Sequence, residues 1–213
     1  MEKERLMNEI SANIKSCTKC RLYKNSKNAV PGEGNINSEI VFIGEAPGFY
    51  EDVSGRPFVG RAGKLLDSSI KSIGYKREDV WIGNIIKHRP PDNREPLPDE
   101  ISACAPFLEL QLKTIAPVMV VTLGRYSMNY FYPGGKISKD RGNLIKIRNF
   151  FIYPVYHPAA ALRSASVLSE FKKDFERIPE MLAKAKRLLE NNGNNEMEET
   201  HSEGFDGQLG LGL

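Results

Sequence analysis

Apolar residues fall along the chain in two rhythms. Short dense runs at residues 39–44 (EIVFIG), 79–86 (DVWIGNII) and 118–123 (VMVVTL) are rich in β-branched side chains and too brief for helices, so they predict buried strands. Residues 144–148 and 151–155 predict a hairpin whose second arm leads into Tyr156-His157-Pro158. Helical spacing fills the intervals. Residues 3–16 predict a first helix, and residues 62–73 a second, with Leu66, Ile70 and Ile73 on one face. Asp99 is expected to cap a third that runs to about residue 115, and residues 124–130 form a short fourth. The last helix covers residues 167–191, with Phe171, Phe175, Ile178, Leu182, Ala185 and Leu189 on one stripe and Pro179 expected to kink or divide it. Residues 92–98 read as a Pro-rich loop. After Asn191 the chain is polar, acidic and Gly-rich, which predicts a globular domain over residues 1–191 and a disordered acidic tail over 192–213.

Strands alternating with helices imply an α/β fold with a mostly parallel sheet covered on both faces. In such sheets ligands bind beyond the carboxyl ends of the strands. The segments that follow the expected strands are Gly44-Glu-Ala-Pro-Gly48, residues 84–91, Leu123-Gly124 and His157-Pro158. These polar, Gly- and Pro-rich stretches all belong to one rim, as a single cleft requires.

Charge sharpens the picture. The net charge is +3, but residues 188–213 hold six acids and no Lys or Arg, which leaves residues 1–187 at +9. A basic body suits a polyanion such as nucleic acid; a solvated surface balanced by an acidic tail is the plainer alternative. No run of about 18 apolar residues suggests a membrane span, and the charged N-terminus resembles no signal peptide. Three cysteines, an odd number, argue against a disulfide framework and for a reducing, cytoplasmic setting.

Those cysteines carry the first candidate chemistry. Cys17 and Cys20 form a CxxC, Cys104 stands alone, and His88 follows a strand sixteen residues before it. Such a set could hold zinc or an iron–sulfur cluster with one His ligand; a redox CxxC or buried free thiols would also account for it. Gly44 to Gly48 is a turn whose amides could face a planar ligand. Phe58 could stack on a base or pack in the core. His157, at a strand end, stands on the expected rim.

Taken together, Gly44-Glu-Ala-Pro-Gly48, Glu51-Asp52, Gly55-Arg-Pro-Phe-Val-Gly60, Asn84-Ile-Ile-Lys-His-Arg-Pro-Pro91 and His157-Pro-Ala-Ala160 resemble, in order, the signature segments of family-four uracil-DNA glycosylases, the thermostable iron–sulfur type. The resemblance spans about residues 17–175. It implies a three-layer α/β/α sandwich around a parallel four-stranded sheet, a [4Fe–4S] cluster, and a monomer that acts on uracil in single- or double-stranded DNA. It further implies that Phe58 stacks on an extruded uracil and that the Asn84 amide pairs with the uracil edge. Glu45 and Ala46 would line the pocket, Glu51 would place the attacking water, and His157 would stabilise charge growing on uracil O2, giving Glu45, Glu51 and His157 as the catalytic set. Leu162 is the implied wedge into the gap left by the flipped base, and Arg163 a phosphate contact.

The family places Cys where this chain has His88, so a cluster would be held by Cys17, Cys20, Cys104 and His88. A branch of the superfamily that bonds covalently to uracil also has His there, but it adds a basic loop ending in a reactive His. Residues 89–103 contain no such His, so ordinary turnover is expected, and with no nucleophilic amine in the motifs, a glycosylase without lyase activity. A DNA-binding or redox-sensing protein on the same fold, or an enzyme for another damaged base, are the competing readings. Gln208 and Leu211 in the tail resemble the start of a sliding-clamp docking peptide that lacks its aromatic pair.

Overall fold

The computed structural model describes the backbone of residues 1–202 and the side chains of residues 1–191. The helices are α1 (Glu2–Lys15), α2 (Phe49–Ser54), α3 (Arg61–Ser72), α4 (Pro98–Ile115), α5 (Arg125–Phe131), α6 (Ile137–Asp140), α7 (Pro158–Ala161), α8 (Ala165–Glu176) and α9 (Ile178–Ser202). The strands are β1 (Glu33–Gly34), β2 (Ile40–Gly44), β3 (Trp81–Asn84), β4 (Met119–Leu123), β5 (Ile145–Ile147) and β6 (Phe150–Val155). They form one sheet in the order β1-β3-β2-β4-β6-β5.

The four central strands, β3-β2-β4-β6, are parallel, as the dense apolar runs predict. Two antiparallel edges extend them. β5 is the first arm of the expected hairpin, and β1 pairs only two residues with β3, too few to leave a periodic signal. Every residue of β2, β3 and β4 is buried, because helices cover both faces.

Alternation along the strands divides the core in two. Ile40, Phe42, Val121, Leu123 and Tyr153 face α3, α8 and α9, where Leu66, Ile70, Phe171, Phe175 and Ile178 meet them. Phe42 and Phe175 stack with centroids 5.8 Å apart. Val41, Ile43, Trp81, Val120 and Ile152 face the opposite way, against Met7, Ile10 and Ile14 of α1 and Phe107, Leu108 and Leu112 of α4. Each fully buried side chain of this kind contributes roughly 1.5–3 kcal/mol. Two such cores on one sheet are the α/β/α sandwich. Among the described residues no helix is long and apolar enough to cross a membrane.

Two helix boundaries depart from expectation. Asp99 does not cap α4. The helix begins at Pro98, and Glu100, fully buried, accepts the Leu97 amide at 2.9 Å while Arg94 holds its carboxylate. Asp99, two residues past the cap at Leu97, pairs with Arg21 instead. The long C-terminal pattern breaks at Arg177, not at Pro179. Pro179 is the second residue of α9, where its missing N–H leaves no helical bond unmade. The helical backbone of α9 then continues to Ser202, past the Asn191 boundary read from composition. Gln208 and Leu211 lie outside the described residues.

Candidate active site

The carboxyl ends of the parallel strands bring four segments to one cleft. In the parallel register Gly44 sits opposite Asn84 and Leu123 opposite Val155. The Gly124 amide donates to the Val155 carbonyl at 2.8 Å, which places the turn after β4 beside His157.

Close packing at this rim demands glycine twice. A Cβ on Gly44 would lie 2.5 Å from Asn84 Oδ1 and 2.6 Å from Phe58 Cζ. At Gly124, where φ is +93°, a Cβ would lie 2.9 Å from the Cβ of His157. Asn84, Phe58 and His157 therefore converge over Gly44 and Gly124. The Phe58 and His157 rings are 5.9 Å apart.

Phe58 is buried, yet its backbone has φ +50°, a region costly for a residue with a Cβ. The surroundings hold it there. Glu51 Oε1 accepts the amides of Val59 and Gly60 at 2.9 and 3.0 Å. Arg77 donates to the carbonyls of Pro57 and Phe58, and is itself held by Glu33 and Asp67. Glu51 thus commits one oxygen to bracing the loop, which leaves Oε2 for other work.

Asn84 is 1% exposed, and its Oδ1 has no hydrogen-bond partner. Buried polar atoms are nearly always satisfied, so an orphaned carbonyl oxygen in a cleft marks a place for a ligand's donor. In His157, Nδ1 accepts the Ala159 amide at 3.1 Å, which assigns the proton of the neutral ring to Nε2. Burial, aided by Arg163 and opposed by Glu51, pushes its pKa down to about 4, so the imidazole is neutral at physiological pH. Glu45 follows Gly44 on the rim. Burial and the neighbouring Glu95 raise its carboxyl to about 7, with Arg125 opposing. Ala46 is half-buried beside it. Leu162 caps α7, 39% exposed, and Arg163 next to it is exposed.

A second cluster lies away from the cleft. Burial pushes the Cys104 thiol up to about 11; the nearby charge of Lys87 opposes this, and Cys17 and Cys20 add to it. The three sulfurs are therefore electrostatic neighbours. His88 is buried and lines one cavity with Cys17. Among the described residues no three His, Cys, Asp or Glu are grouped tightly enough to hold a single metal ion. A multi-iron cluster spreads its ligands more widely, and three thiols with one imidazole are a donor set that suits it.

Sequence reasoning misses Lys87. It is wholly buried, and its Nζ donates to the Asn84 carbonyl and to Gln111 Oε1, both at 2.8 Å. Gln111 in turn donates to the Pro31 carbonyl. This chain of bonds fixes the backbone that presents Asn84. Nothing in a local pattern flags a lysine as buried.

Comparison with known proteins agrees with this geometry. Residues 31–183 match the model of the uracil DNA glycosylase superfamily. The chain is 44% identical to the type-4 uracil-DNA glycosylase of Saccharolobus solfataricus, over 85% of this chain and 89% of that one. It is 43% identical to the type-4 enzyme of Thermotoga maritima (90% and 98%) and 41% identical to that of Archaeoglobus fulgidus (86% and 96%). A match over most of the fold, with relatives aligned nearly end to end, shows that the chain belongs to the uracil-DNA glycosylase superfamily.

Proposed function

We infer that this protein excises uracil from DNA by hydrolysing the N-glycosidic bond, which releases the free base and leaves an abasic site. The observation that carries the reading is the orphaned Oδ1 of Asn84, buried over Gly44 beside the Phe58 ring, which in turn lies next to a neutral histidine.

C1′ is shielded in a duplex, so the nucleotide must swing out, at a cost of roughly a few kcal/mol. The extruded base stacks on Phe58. Asn84 Oδ1 accepts uracil N3–H, and its amide NH2 donates to O4. Cytosine offers an acceptor at N3 and a donor at its exocyclic amine, the reverse pattern, and would leave buried polar groups unpaired. As the C1′–N1 bond breaks, its electrons pass to the uracil ring, and His157 Nε2–H donates to O2, where negative charge gathers. Glu51 Oε2 orients a water against C1′. Glu45, poised near neutrality, accepts the proton as the water oxygen bonds to carbon. Leu162 fills the gap in the stack and Arg163 contacts phosphate. The enzyme works as a monomer on uracil in single- or double-stranded DNA, without lyase chemistry.

Glu45 gives a pH prediction. A carboxyl raised to about 7 is protonated below that pH and ionised above it, so excision rises as pH passes upward through about 7. His157, neutral above about 4, contributes no limb in that window. A single-turnover pH profile checks this, and Glu45→Gln is expected to be slower and flat across it. A wild-type rate unchanged from pH 5.5 to 8 would remove Glu45 from the role.

Cys17, Cys20, Cys104 and His88 would hold a [4Fe–4S] cluster, which would cross-link the segment after α1, the loop after β3 and α4. Protein purified without oxygen is expected to carry iron and the visible absorbance of such a cluster, and His88→Ala to carry less iron. Folded, iron-free protein from an iron-replete, oxygen-free preparation would overturn this assignment.

A further inference from the structure

The helix that follows the cleft's first loop is apolar on its outside. Phe49 is 54% and Tyr50 63% exposed, the two most exposed aromatic residues among those described, and Val53 on the same short helix is also exposed. Neighbouring exposed aromatic side chains make a candidate binding surface. We propose that Phe49 and Tyr50 form a stacking platform for a nucleobase next to the extruded uracil, on the same DNA strand, in single-stranded or locally opened DNA. The proposal rests on the uracil-excision reading and extends its binding surface.

Three features carry it. The first is continuity with the pocket. Phe49 and Tyr50 directly follow Gly48, and Tyr50 packs beside Gly60, where an added Cβ would lie 3.4 Å from its ring. Glu51 ties α2 to the loop that holds Phe58, so one rigid unit carries a buried aromatic inside the cleft and an exposed pair beside it. The second is preorganisation. Asp52, buried, accepts the amides of Lys27 and Asn28, while Asn28 donates back to the carbonyls of Asp52 and Val53. A platform already fixed loses little freedom on binding. The third is chemistry. The rings meet edge to face with centroids 5.5 Å apart, and the Arg89 guanidinium lies 5.3 Å from the Phe49 centroid. Aromatic faces beside a cation suit a base with its phosphate, and every base has a face to stack. In a closed duplex the neighbouring bases are stacked on each other, so the platform acts where the strand is open.

The test uses fluorescein-labelled single-stranded oligonucleotides that contain 2′-fluoro-2′-deoxyuridine, which resists cleavage. In one, ordinary bases flank the uridine; in the other, abasic tetrahydrofuran units do. Binding is read by anisotropy. The unaltered protein is expected to bind the base-flanked strand about tenfold more tightly. The Phe49→Leu/Tyr50→Leu variant keeps apolar bulk but has no aromatic face, and should bind both strands alike. Phe49→Tyr should retain the preference. A Leu variant that still discriminates, or unaltered protein that does not, overturns the platform. Excision of ordinary deoxyuridine by unaltered protein is measured in parallel. Its absence would sink the uracil reading itself, whereas excision without any flanking-base preference would sink only the platform.

Discussion

Replacing His157 with Ala is expected to slow uracil excision by about 10²–10³-fold, the usual effect of removing one preorganised donor from a site of developing charge. The size follows from the state of the ring. A cationic imidazole would already be attracted to water and phosphate in the ground state. A neutral one whose Nδ1 is occupied by the Ala159 amide has a single donor, and it gains most when charge appears on the base. Its pKa near 4 holds it in that form across the working range. Gly124 leaves the room that the side chain needs, and His157→Ala keeps the Cβ that packs there. Single-turnover rates at saturating single-stranded substrate measure the effect, with thermal unfolding confirming the fold. A loss smaller than about fivefold, well short of the donor effect above, would mean that O2 is stabilised by something else.

Asn84→Asp is expected to cost at least as much, roughly 10²-fold or more in kcat/KM, because a site built to pair with a base edge is penalised for each buried group left unmatched. The carboxylate offers no donor to uracil O4 and brings a charge into a place that is 1% exposed. Since Oδ1 makes no bond in the free protein, folding should suffer less than catalysis does. The Lys87 bond to the Asn84 backbone carbonyl does not depend on the side chain and keeps the strand end in place. An unaffected excision rate would show that the base edge is read elsewhere.

Much of this architecture is legible in the sequence, for a physical reason. Parallel strands buried on both faces must be dense apolar runs, so β2, β3 and β4 announce themselves, and the residues at or just beyond the carboxyl ends of β2, β3 and β6, Glu45, Asn84 and His157, inherit a place on the rim. The resemblance to known signature segments then suggests roles that the runs alone could not. What stays hidden depends on contacts between distant residues. β1 is two residues long and exists because β3 offers an edge. The brace on Phe58 joins Glu33, Asp67 and Arg77 across up to 44 positions. Lys87 looks like an ordinary surface lysine until Gln111 and the Asn84 carbonyl are seen around its ammonium. The displaced cap at Asp99 has the same origin, since Glu100 is fixed by Arg94 and its helix starts two residues earlier than the local pattern suggests. Glu51 reads from the motif as a water-placing residue, while half of its carboxylate is engaged in holding the loop around Phe58.

The most direct test is excision itself. Purified protein is incubated with end-labelled oligonucleotides that contain one uracil, single-stranded and paired, and then treated with alkali to cut at abasic sites. The expected result is cleavage at the uracil alone, absent from the thymine control and strongly reduced with His157→Ala. Folded protein that leaves the uracil strand intact in both forms would contradict the assignment of this cleft as a uracil-excising site.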